Sequence, residues 1–254
     1  MITVVIVGTG NVAQNLYYAL KEEPQVVIKQ VLGRTKSYLS FVNTTIATTS
    51  DFEKVENADI YILAISDEAI PSVSNKLKIK DGLIVHTSGG TGMNSLENHQ
   101  RIGVFYPLQT FTKGKIVSFK NIPMIVEATT EKDYVLLENL GELLSDNVVR
   151  ISSEKRQKLH VAAVFANNFT NYMYTLAAEV CTEHDLDFDI LKPLITETSA
   201  KLSELSPEMA QTGPAKRGDQ KTLHNHLAIL KDKQQREIYT LLSNAIKETH
   251  GKKL

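Results

Sequence analysis

Short runs of β-branched and apolar residues alternate with stretches of helical periodicity over residues 1–152. Several of these runs are almost entirely apolar, as expected for strands that helices cover on both faces. The predicted strands are Thr3–Val7, Val26–Leu32, Ile60–Ile65, Leu83–Thr87, Gly103–Phe105, Met124–Glu127 and Val148–Ile151. The predicted helices between them are Asn11–Lys21, Ser66–Lys76 and Glu131–Leu144. Alternation of this kind predicts a doubly wound, mostly parallel sheet of the α/β class.

The sequence changes character at Glu154, where the β-branched runs stop and apolar residues recur at helical spacing. The predicted helices of this part are Glu154–His184, Asp189–Leu205 and Gln220–Glu248. A loop that contains proline and glycine, Ser206–Asp219, separates the last two. We therefore predict two domains, a sheet domain at residues 1–152 and an all-helical domain at residues 153–254.

The composition of the 254-residue chain argues against several kinds of partner. Its net charge of −1 provides no overall field that would attract nucleic acid or an anionic membrane. No segment reaches the roughly 20 apolar residues that a membrane-spanning helix needs, and the N-terminus lacks the pattern of a signal peptide. His224 and His226 are two residues apart and would diverge on a helix, so they are poor joint metal ligands. We expect a cytoplasmic protein without nucleic-acid, membrane or metal partners.

A dinucleotide-binding pattern, G-x-G-x-x-G/A, follows the first predicted strand and opens the first predicted helix. Its residues are Gly8, Thr9, Gly10, Asn11, Val12 and Ala13. Gly8 permits a tight turn, Gly10 lets the backbone approach a pyrophosphate, and Ala13 is small enough for the helix to pack on the strand. The amide groups and positive dipole end of the helix would then face the phosphates. The alternative is an ordinary structural turn in a fold that has lost its ligand.

The end of the second predicted strand indicates which dinucleotide binds. Where NAD-selective proteins carry Asp or Glu, this chain has Gly33, Arg34 and Thr35. A guanidinium can hold a 2′-phosphate through paired, charge-assisted hydrogen bonds, and Thr35 adds a hydroxyl. We therefore predict NADP as the cofactor, with Arg34 and Thr35 at its adenosine end. The alternative is an arginine that is merely solvated at the end of a strand.

Ligands of open α/β sheets bind beyond the carboxyl ends of the strands, so three further strand ends are candidate cofactor contacts. The predicted contacts there are Ala64, Ile65, Ser66, Thr87, Ser88 and Pro107. The glycine-rich stretch that begins at Ser88 suits close approach of the backbone to a ribose or a nicotinamide ring. Ser66 and Asp67 have an alternative role as the cap and acidic first turn of a helix.

Several of these motifs resemble the superfamily of 6-phosphogluconate and β-hydroxyacid dehydrogenases, to which pyrroline-5-carboxylate reductase and the deazaflavin-dependent NADP oxidoreductases belong. The resemblance rests on GTGNVA, on GRT after the second strand, on AISD, and on HTSGG with FYPLQTF. Two C-terminal stretches, HVAAVFANNF and TGPAKRGD, are similar to Rossmann-like proteins with a helical C-terminal domain of unknown function. Such proteins are commonly given the provisional label of NADP oxidoreductases.

The resemblance implies a Rossmann sheet followed by a helical domain that supplies a homodimer interface and closes over the nicotinamide. It also implies a small-molecule substrate that is oxidised or reduced at carbon. The chain departs from the pattern at Val164, because several members of the superfamily carry a catalytic lysine there, four residues before the second asparagine of an Asn-Asn pair. Proton transfer by that lysine is not available to this chain.

The candidates for chemistry lie in the helical part. On an unbroken helix, His160, Asn167 and Asn171 would share one face, with Asn168 beside them. Histidine can protonate a developing alkoxide or amine, and asparagine amides can orient a carbonyl. Their alternative role is to hydrogen-bond the domains and helices together.

Arg217 stands in a short loop and is a candidate for holding a substrate carboxylate or phosphate. Asp219 in the same loop has the alternative role of capping the next helix.

Two functions are consistent with these residues. The first is hydride transfer between NADPH and a small carbonyl or imine compound, or a deazaflavin. The second is an NADP-binding sensor or scaffold that performs no chemistry, which the absent lysine favours. The intact glycine turn is compatible with both.

Overall fold

The computed structural model describes residues 1–250, and its first compact unit, residues 1–167, is built on one eight-stranded sheet. The strands are β1 (Ile2–Val7), β2 (Val26–Leu32), β3 (Ala47–Thr49), β4 (Ile60–Leu63), β5 (Leu83–His86), β6 (Ile102–Pro107), β7 (Met124–Ala128) and β8 (Val148–Arg150). They lie in the order β3-β2-β1-β4-β5-β6-β7-β8, and every neighbouring pair is parallel except β6 with β7. The predicted doubly wound, mostly parallel sheet is confirmed.

Helices cover both faces of this sheet. They are α1 (Asn11–Lys21), α2 (Ile70–Ser74), α3 (Glu131–Leu144) and α4 (Ser153–Ala163). Alternate residues of β1 point to opposite faces: Val4 and Ile6 pack in the apolar cluster that contains residues of α1 and α3. Val5 and Val7 pack in the cluster on the other face, which contains Ile70 of α2. Burial on both faces explains why the strands are almost entirely apolar.

Two details of this unit differ from the sequence prediction. The three-residue strand β3 was not predicted, and it pairs with β2 at the edge of the sheet. The predicted helix Ser66–Lys76 is a 3-10 turn, Asp67–Ala69, followed by the short α2. Pro71 lies in the first turn of α2, where its missing amide hydrogen costs no intrahelical bond.

The second compact unit begins at Asn168 and is helical over its described residues, as predicted. Its helices are α5 (Thr170–Glu183), α6 (Lys192–Ala200), α7 (Pro207–Ala210), α8 (Pro214–Arg217), α9 (Gln220–Ile229) and α10 (Lys233–His250). The predicted helix Gln220–Glu248 is therefore two helices, and the predicted loop Ser206–Asp219 contains the single turns α7 and α8. Residues 251–254 of the predicted C-terminal domain lie outside the described residues.

The predicted long helix Glu154–His184 is interrupted by a π-helical segment, Val164–Phe169, between α4 and α5. The division between the two compact units falls inside this segment, between residues 167 and 168. The domain boundary predicted at residues 152 and 153 lies where β8 ends and α4 begins, and it stays a prediction.

Candidate cofactor and substrate site

Gly8 forms the turn at the carboxyl end of β1 in a conformation that favours glycine. Its φ is 134°, and a Cβ atom there would lie 2.1 Å from the carbonyl oxygen of Ala64, the residue after β4. The Gly8 amide donates to the carbonyl of Leu32 at the end of β2 (2.8 Å). The turn is thus fitted between the ends of two neighbouring strands, and Ala64, a predicted cofactor contact, forms one wall of it.

The start of α1 leaves space in front of its backbone. Gly10 is the residue before the helix, and a Cβ atom built on it would meet no atom within 4 Å. Among the described residues, no side chain caps this helix end. Ala13 is fully buried against the sheet, as predicted for close packing of helix on strand. The amides of the first turn are therefore available to a ligand.

Two asparagines attach the loop after β6 to α1. The Asn11 amide donates to the carbonyl of Phe111 (2.9 Å), so this side chain has a structural partner beside the predicted phosphate site. The buried Asn15 side chain accepts from the amide of Val117 (3.0 Å) and donates to the carbonyl of Lys115 (3.3 Å). The sequence analysis missed Asn15, because its partners lie about a hundred residues further along the chain.

Arg34 follows β2 at an exposed position, and none of the ion pairs formed by residues 1–250 involves it. Thr35 is also exposed and begins a 3-10 turn, Lys36–Leu39. A cation that has no carboxylate partner within residues 1–250 fits the predicted role of binding a phosphate group.

Residues Thr87–Thr91 form a loop after β5, which we name the serine loop. The Ser88 hydroxyl lies 2.7 Å from Oδ2 of Asp67, the residue that begins the turn after β4. The same hydroxyl accepts from the amides of Gly90 (3.1 Å) and Thr91 (2.8 Å). Ser88 is buried and holds the loop together internally, so the predicted contact Ser88 has a local structural role as well.

Arg156 of α4 links the serine loop to the sheet through hydrogen bonds and an ion pair. Its side chain is fully buried, and Nε donates to the carbonyl of Ser88 (3.1 Å) while a terminal nitrogen donates to the carbonyl of Thr91. The other terminal nitrogen pairs with Glu127 of β7 at 2.7 Å. Ser153 completes the group by donating to Glu127 (2.6 Å). Arg156 and Glu127 were missed because no local pattern reveals their pairing.

His86, at the end of β5, lies beneath the serine loop. It is fully buried, and its Nδ1 accepts from the amide of Ser88 (3.2 Å). Burial lowers the pKa of His86 to about 4, and the positive charge of Arg156 acts in the same direction. The ring is therefore neutral near pH 7. Its Nε2 atom is buried without a hydrogen-bond partner in the described part of the chain.

His160, a predicted catalytic residue, lies in the last turn of α4 beside Tyr106 of β6. The Tyr106 hydroxyl is 3.3 Å from Nδ1 of His160, and the two rings meet edge to face with centroids 6.2 Å apart. Tyr106 is 9% exposed, and burial raises the pKa of its phenol although the charge of Arg156 opposes this. Pro107, a predicted cofactor contact, is buried at the end of the same strand. Sequence analysis named His160 but missed Tyr106.

The π-helical segment removes the argument that placed His160, Asn167 and Asn171 on one helical face. That argument assumed 3.6 residues per turn throughout, whereas a π turn is wider and shifts the positions that follow it. Asn167 is exposed and belongs to the first compact unit, whereas Asn168 begins the second. Spacing alone therefore no longer groups these side chains, and their roles stay predictions.

The predicted loop candidates lie in the second compact unit. Asp219 caps α9, since its carboxylate accepts from the amide of Thr222 (3.1 Å) and from its hydroxyl (2.7 Å). The capping alternative considered for Asp219 is thus confirmed. Arg217 is exposed, which leaves its predicted role at a substrate open to test.

Two further kinds of site were searched for within residues 1–250. No group of three or more histidine, cysteine or acidic side chains is placed to hold a metal ion. In the same residues, no helix combines the length and apolar character needed to cross a membrane.

The geometry fits a dinucleotide at the carboxyl edge of β1 and β2. Gly10 provides open space in front of an uncapped helix end, and Arg34 provides a cation at the next strand end. These are the two features that a pyrophosphate and a 2′-phosphate require. The strand order 3-2-1-4-5-6 around them defines the class, which is that of Rossmann-fold dinucleotide-binding proteins.

Comparisons with known proteins agree with this class. The model of a family described as "NADP oxidoreductase coenzyme F420-dependent" matches residues 3–90, and that of the domain of unknown function DUF2520 matches residues 122–246. A Bacteroides fragilis protein of known structure, provisionally named an NADP oxidoreductase, is 40% identical with a TM-score of 0.87. The alignment covers 97% of this chain and 98% of that one. At this identity and coverage, the protein belongs to the same family of NADP oxidoreductases as the Bacteroides fragilis protein.

Two more distant structures share the fold. A Thermotoga maritima protein is 20% identical with a TM-score of 0.74, over 97% of this chain and 98% of that one. A reductive aminase from Aspergillus terreus, solved with NADPH and ethyl-5-oxohexanoate, is 13% identical with a TM-score of 0.72. That alignment covers 99% of this chain and 96% of the aminase. No curated protein matches the sequence.

Proposed function

We propose that the protein transfers a hydride between NADPH and a small compound that contains a carbonyl or imine group. The observation that carries the proposal is the serine loop with Tyr106 and His160. This polar group lies at the carboxyl ends of β5 and β6, on the same edge of the sheet as the glycine turn. Ligands of such sheets bind at that edge. When bound, NADPH supplies the hydride at its nicotinamide ring.

The chain's own residues have separate roles in this proposal. The amides at the start of α1 bind the pyrophosphate, and Arg34 with Thr35 binds the 2′-phosphate. The remaining predicted contacts, at residues 64–66, 87–88 and 107, border the rest of the cofactor. His160 donates a proton or hydrogen bond to the heteroatom of the substrate. Asn167, Asn168 and Arg217 are the further candidates for orienting the substrate.

A deazaflavin is a second candidate for the reaction partner. The observation that favours it is the match of residues 3–90 to a family model described as F420-dependent. In that case the hydride would pass between two cofactors, and the protein would act mainly by holding them close together.

We also propose that the protein acts as a homodimer through its second unit. Every cluster of buried apolar residues in the described chain lies within residues 1–159. In the second unit many large apolar side chains are exposed, including Ile190 (72%) and Leu241 (68%). A surface of this kind is typical of an interface between subunits. The mass of the purified protein in solution, measured by light scattering, tests this part.

The cofactor assignment is tested by titrating NADPH and NADH into the purified protein and recording nicotinamide fluorescence. We expect NADPH to bind more tightly than NADH. Arg34→Ala removes the cation and should weaken the binding of NADPH about 10- to 100-fold, because a hydrogen bond to a charged group contributes about 1.5–3 kcal/mol. The affinity for NADH should change little. Lys36→Ala, two residues further on, is the matched control. Equal losses for both nucleotides in Arg34→Ala would contradict the assignment.

Turnover is then measured as NADPH oxidation with aldehydes, ketones, 2-oxo acids, cyclic imines and an oxidised deazaflavin. Oxidation of at least one compound is expected, and His160→Ala should reduce its rate without changing the NADPH affinity. Tight NADPH binding with no oxidation of any compound would instead support a sensor or scaffold.

A further inference from the structure

The pairing of Tyr106 with His160 determines how the histidine can act. A neutral imidazole carries one proton, and the hydrogen bond made by one ring nitrogen decides which nitrogen carries it. Here Nδ1 faces the Tyr106 hydroxyl at 3.3 Å. His160 is partly exposed, and no hydrogen bond described for residues 1–250 involves its Nε2 atom.

The direction of this hydrogen bond follows from the surroundings of Tyr106. Of all the hydrogen bonds described for residues 1–250, the one to His160 is the only one made by the Tyr106 hydroxyl. If Nδ1 carried the proton and donated, the hydroxyl of the 9% exposed Tyr106 would have no acceptor for its own hydrogen among the described residues, which costs free energy. Burial also raises the pKa of the phenol, so the hydroxyl keeps its proton at neutral pH. Both points favour Tyr106 as the donor and Nδ1 as the acceptor.

Close packing against the serine loop holds the two rings together. A Cβ atom on Gly89 would lie 2.5 Å from Nδ1 of His160 and 2.8 Å from Cζ of Tyr106. Both rings thus pack directly against the Gly89 backbone, and a side chain at position 89 would displace them. Gly89 is itself held in place through Ser88, whose carbonyl accepts from Arg156.

We propose that Tyr106 is a positioning residue that fixes His160 as the tautomer with its proton on Nε2, so that His160 offers the substrate a hydrogen-bond donor. The inference rests on the proposed function and narrows the class of substrates that the proposed reaction would accept. A donor at Nε2 favours a substrate with an acceptor, such as a carbonyl oxygen, over a protonated imine, whose nitrogen already carries hydrogen. The pair thereby selects substrates whose reacting double bond ends in an acceptor, such as a carbonyl, over iminium ions.

The tautomer is read directly from protein labelled with ¹⁵N-histidine, in long-range ¹H–¹⁵N NMR spectra recorded over a pH series and compared where the shifts have become constant at the alkaline end. His160→Gln identifies the His160 signals. The wild type should show protonated Nε2 and unprotonated Nδ1, and Tyr106→Phe should give a mixture of the two tautomers. Tyr134→Phe, which removes a hydroxyl that donates to Glu138 on α3, is the matched control and should leave the His160 signals unchanged. A proton on Nδ1 in the wild type, or an unchanged spectrum in Tyr106→Phe, would overturn the inference.

Gly89→Ala supplies a second variant in case Tyr106→Phe does not fold. It keeps both rings but should displace His160, and it should give the same mixture of tautomers. A wild-type tautomer in a folded Gly89→Ala protein would show that the contact does not orient the ring.

Kinetics with two five-membered ring compounds, cyclopentanone and the iminium ion N-methyl-1-pyrrolinium, test the substrate class. Tyr106→Phe should lower kcat for cyclopentanone about two- to tenfold, the effect of one hydrogen bond, while KM for NADPH stays unchanged. A higher kcat/KM of the wild type for N-methyl-1-pyrrolinium than for cyclopentanone would overturn the assignment of the substrate class. Absence of NADPH binding would defeat the proposed function but leave the tautomer result standing, so the two failures are distinguishable.

Discussion

The glycine turn at Gly8–Ala13 and the serine loop at Thr87–Thr91 follow parallel strands of one sheet, yet they are built in opposite ways. The glycine turn depends on the absence of side chains: a carbonyl stands where a Cβ of Gly8 would be, and open space lies beside Gly10. The serine loop depends on side chains, including the buried Arg156 from a helix far along the chain. The glycine turn therefore leaves backbone amides free for a ligand, whereas the serine loop holds polar groups in fixed positions around His160.

The largest effect is expected from removing the cation that supports the serine loop. Arg156→Met leaves the Glu127 carboxylate, 16% exposed, without its cationic partner, and should lower the free energy of unfolding by about 3–5 kcal/mol. Lys158→Met on the same helix breaks an exposed pair with Glu154 and should cost less than about 1 kcal/mol. Urea denaturation measures both. Similar values for the two variants would mean that the buried pair does not support the loop.

Substitution of Gly8 and of Gly10 should show which glycine stabilises the fold and which is needed only for NADPH binding. Gly8→Ala forces alanine into a positive φ and against the Ala64 carbonyl, and should cost about 2–4 kcal/mol of stability as well as NADPH binding. Gly10→Ala places its methyl group in open space at a φ of −75°, so its stability should stay within about 0.5 kcal/mol. Its NADPH affinity should nevertheless fall about tenfold or more. Normal NADPH affinity in Gly10→Ala would place the pyrophosphate elsewhere.

Acid should lower the free energy of unfolding through His86, which lies beneath the serine loop. The glycine turn contains no titratable side chain and should contribute no such effect. The pKa of His86 is about 4 in the folded protein, against 6.5 for an ordinary histidine, so the unfolded state takes up the proton first. The stabilising contribution is complete above pH 6.5 and is lost as the pH falls towards 4, up to about 3 kcal/mol. Denaturation at several pH values, with His86→Asn as the reference, measures it. A constant difference between the two proteins would contradict the lowered pKa.

Much of the first unit was predictable because its signals are local. Apolar runs and the glycine pattern gave the strands, the class of fold and the glycine turn, and α3 was predicted at its observed bounds. The short edge strand β3 was missed because three residues carry too little pattern. Arg156, Glu127, Tyr106 and Asn15 were missed for another reason: each acts through partners that only the folded sheet brings close.

The second unit was predictable in class but less so in detail. The apolar period indicated helices correctly, but it does not distinguish an α-helix from one with a π-helical turn at Val164–Phe169. The break between α9 and α10 was missed as well. There Asp232 accepts from the amide of Gln235 (2.9 Å), a capping contact of the kind that begins a new helix.

The exposed apolar side chains of the second unit would make the stability of the protein depend on its concentration in the cell. In the proposed homodimer a second copy would cover them, and folding and association would then be one equilibrium that depends on protein concentration. A rise in expression would then strengthen the fold, and dilution would weaken it. The gene's dosage would set the resistance of each molecule to heat and proteolysis.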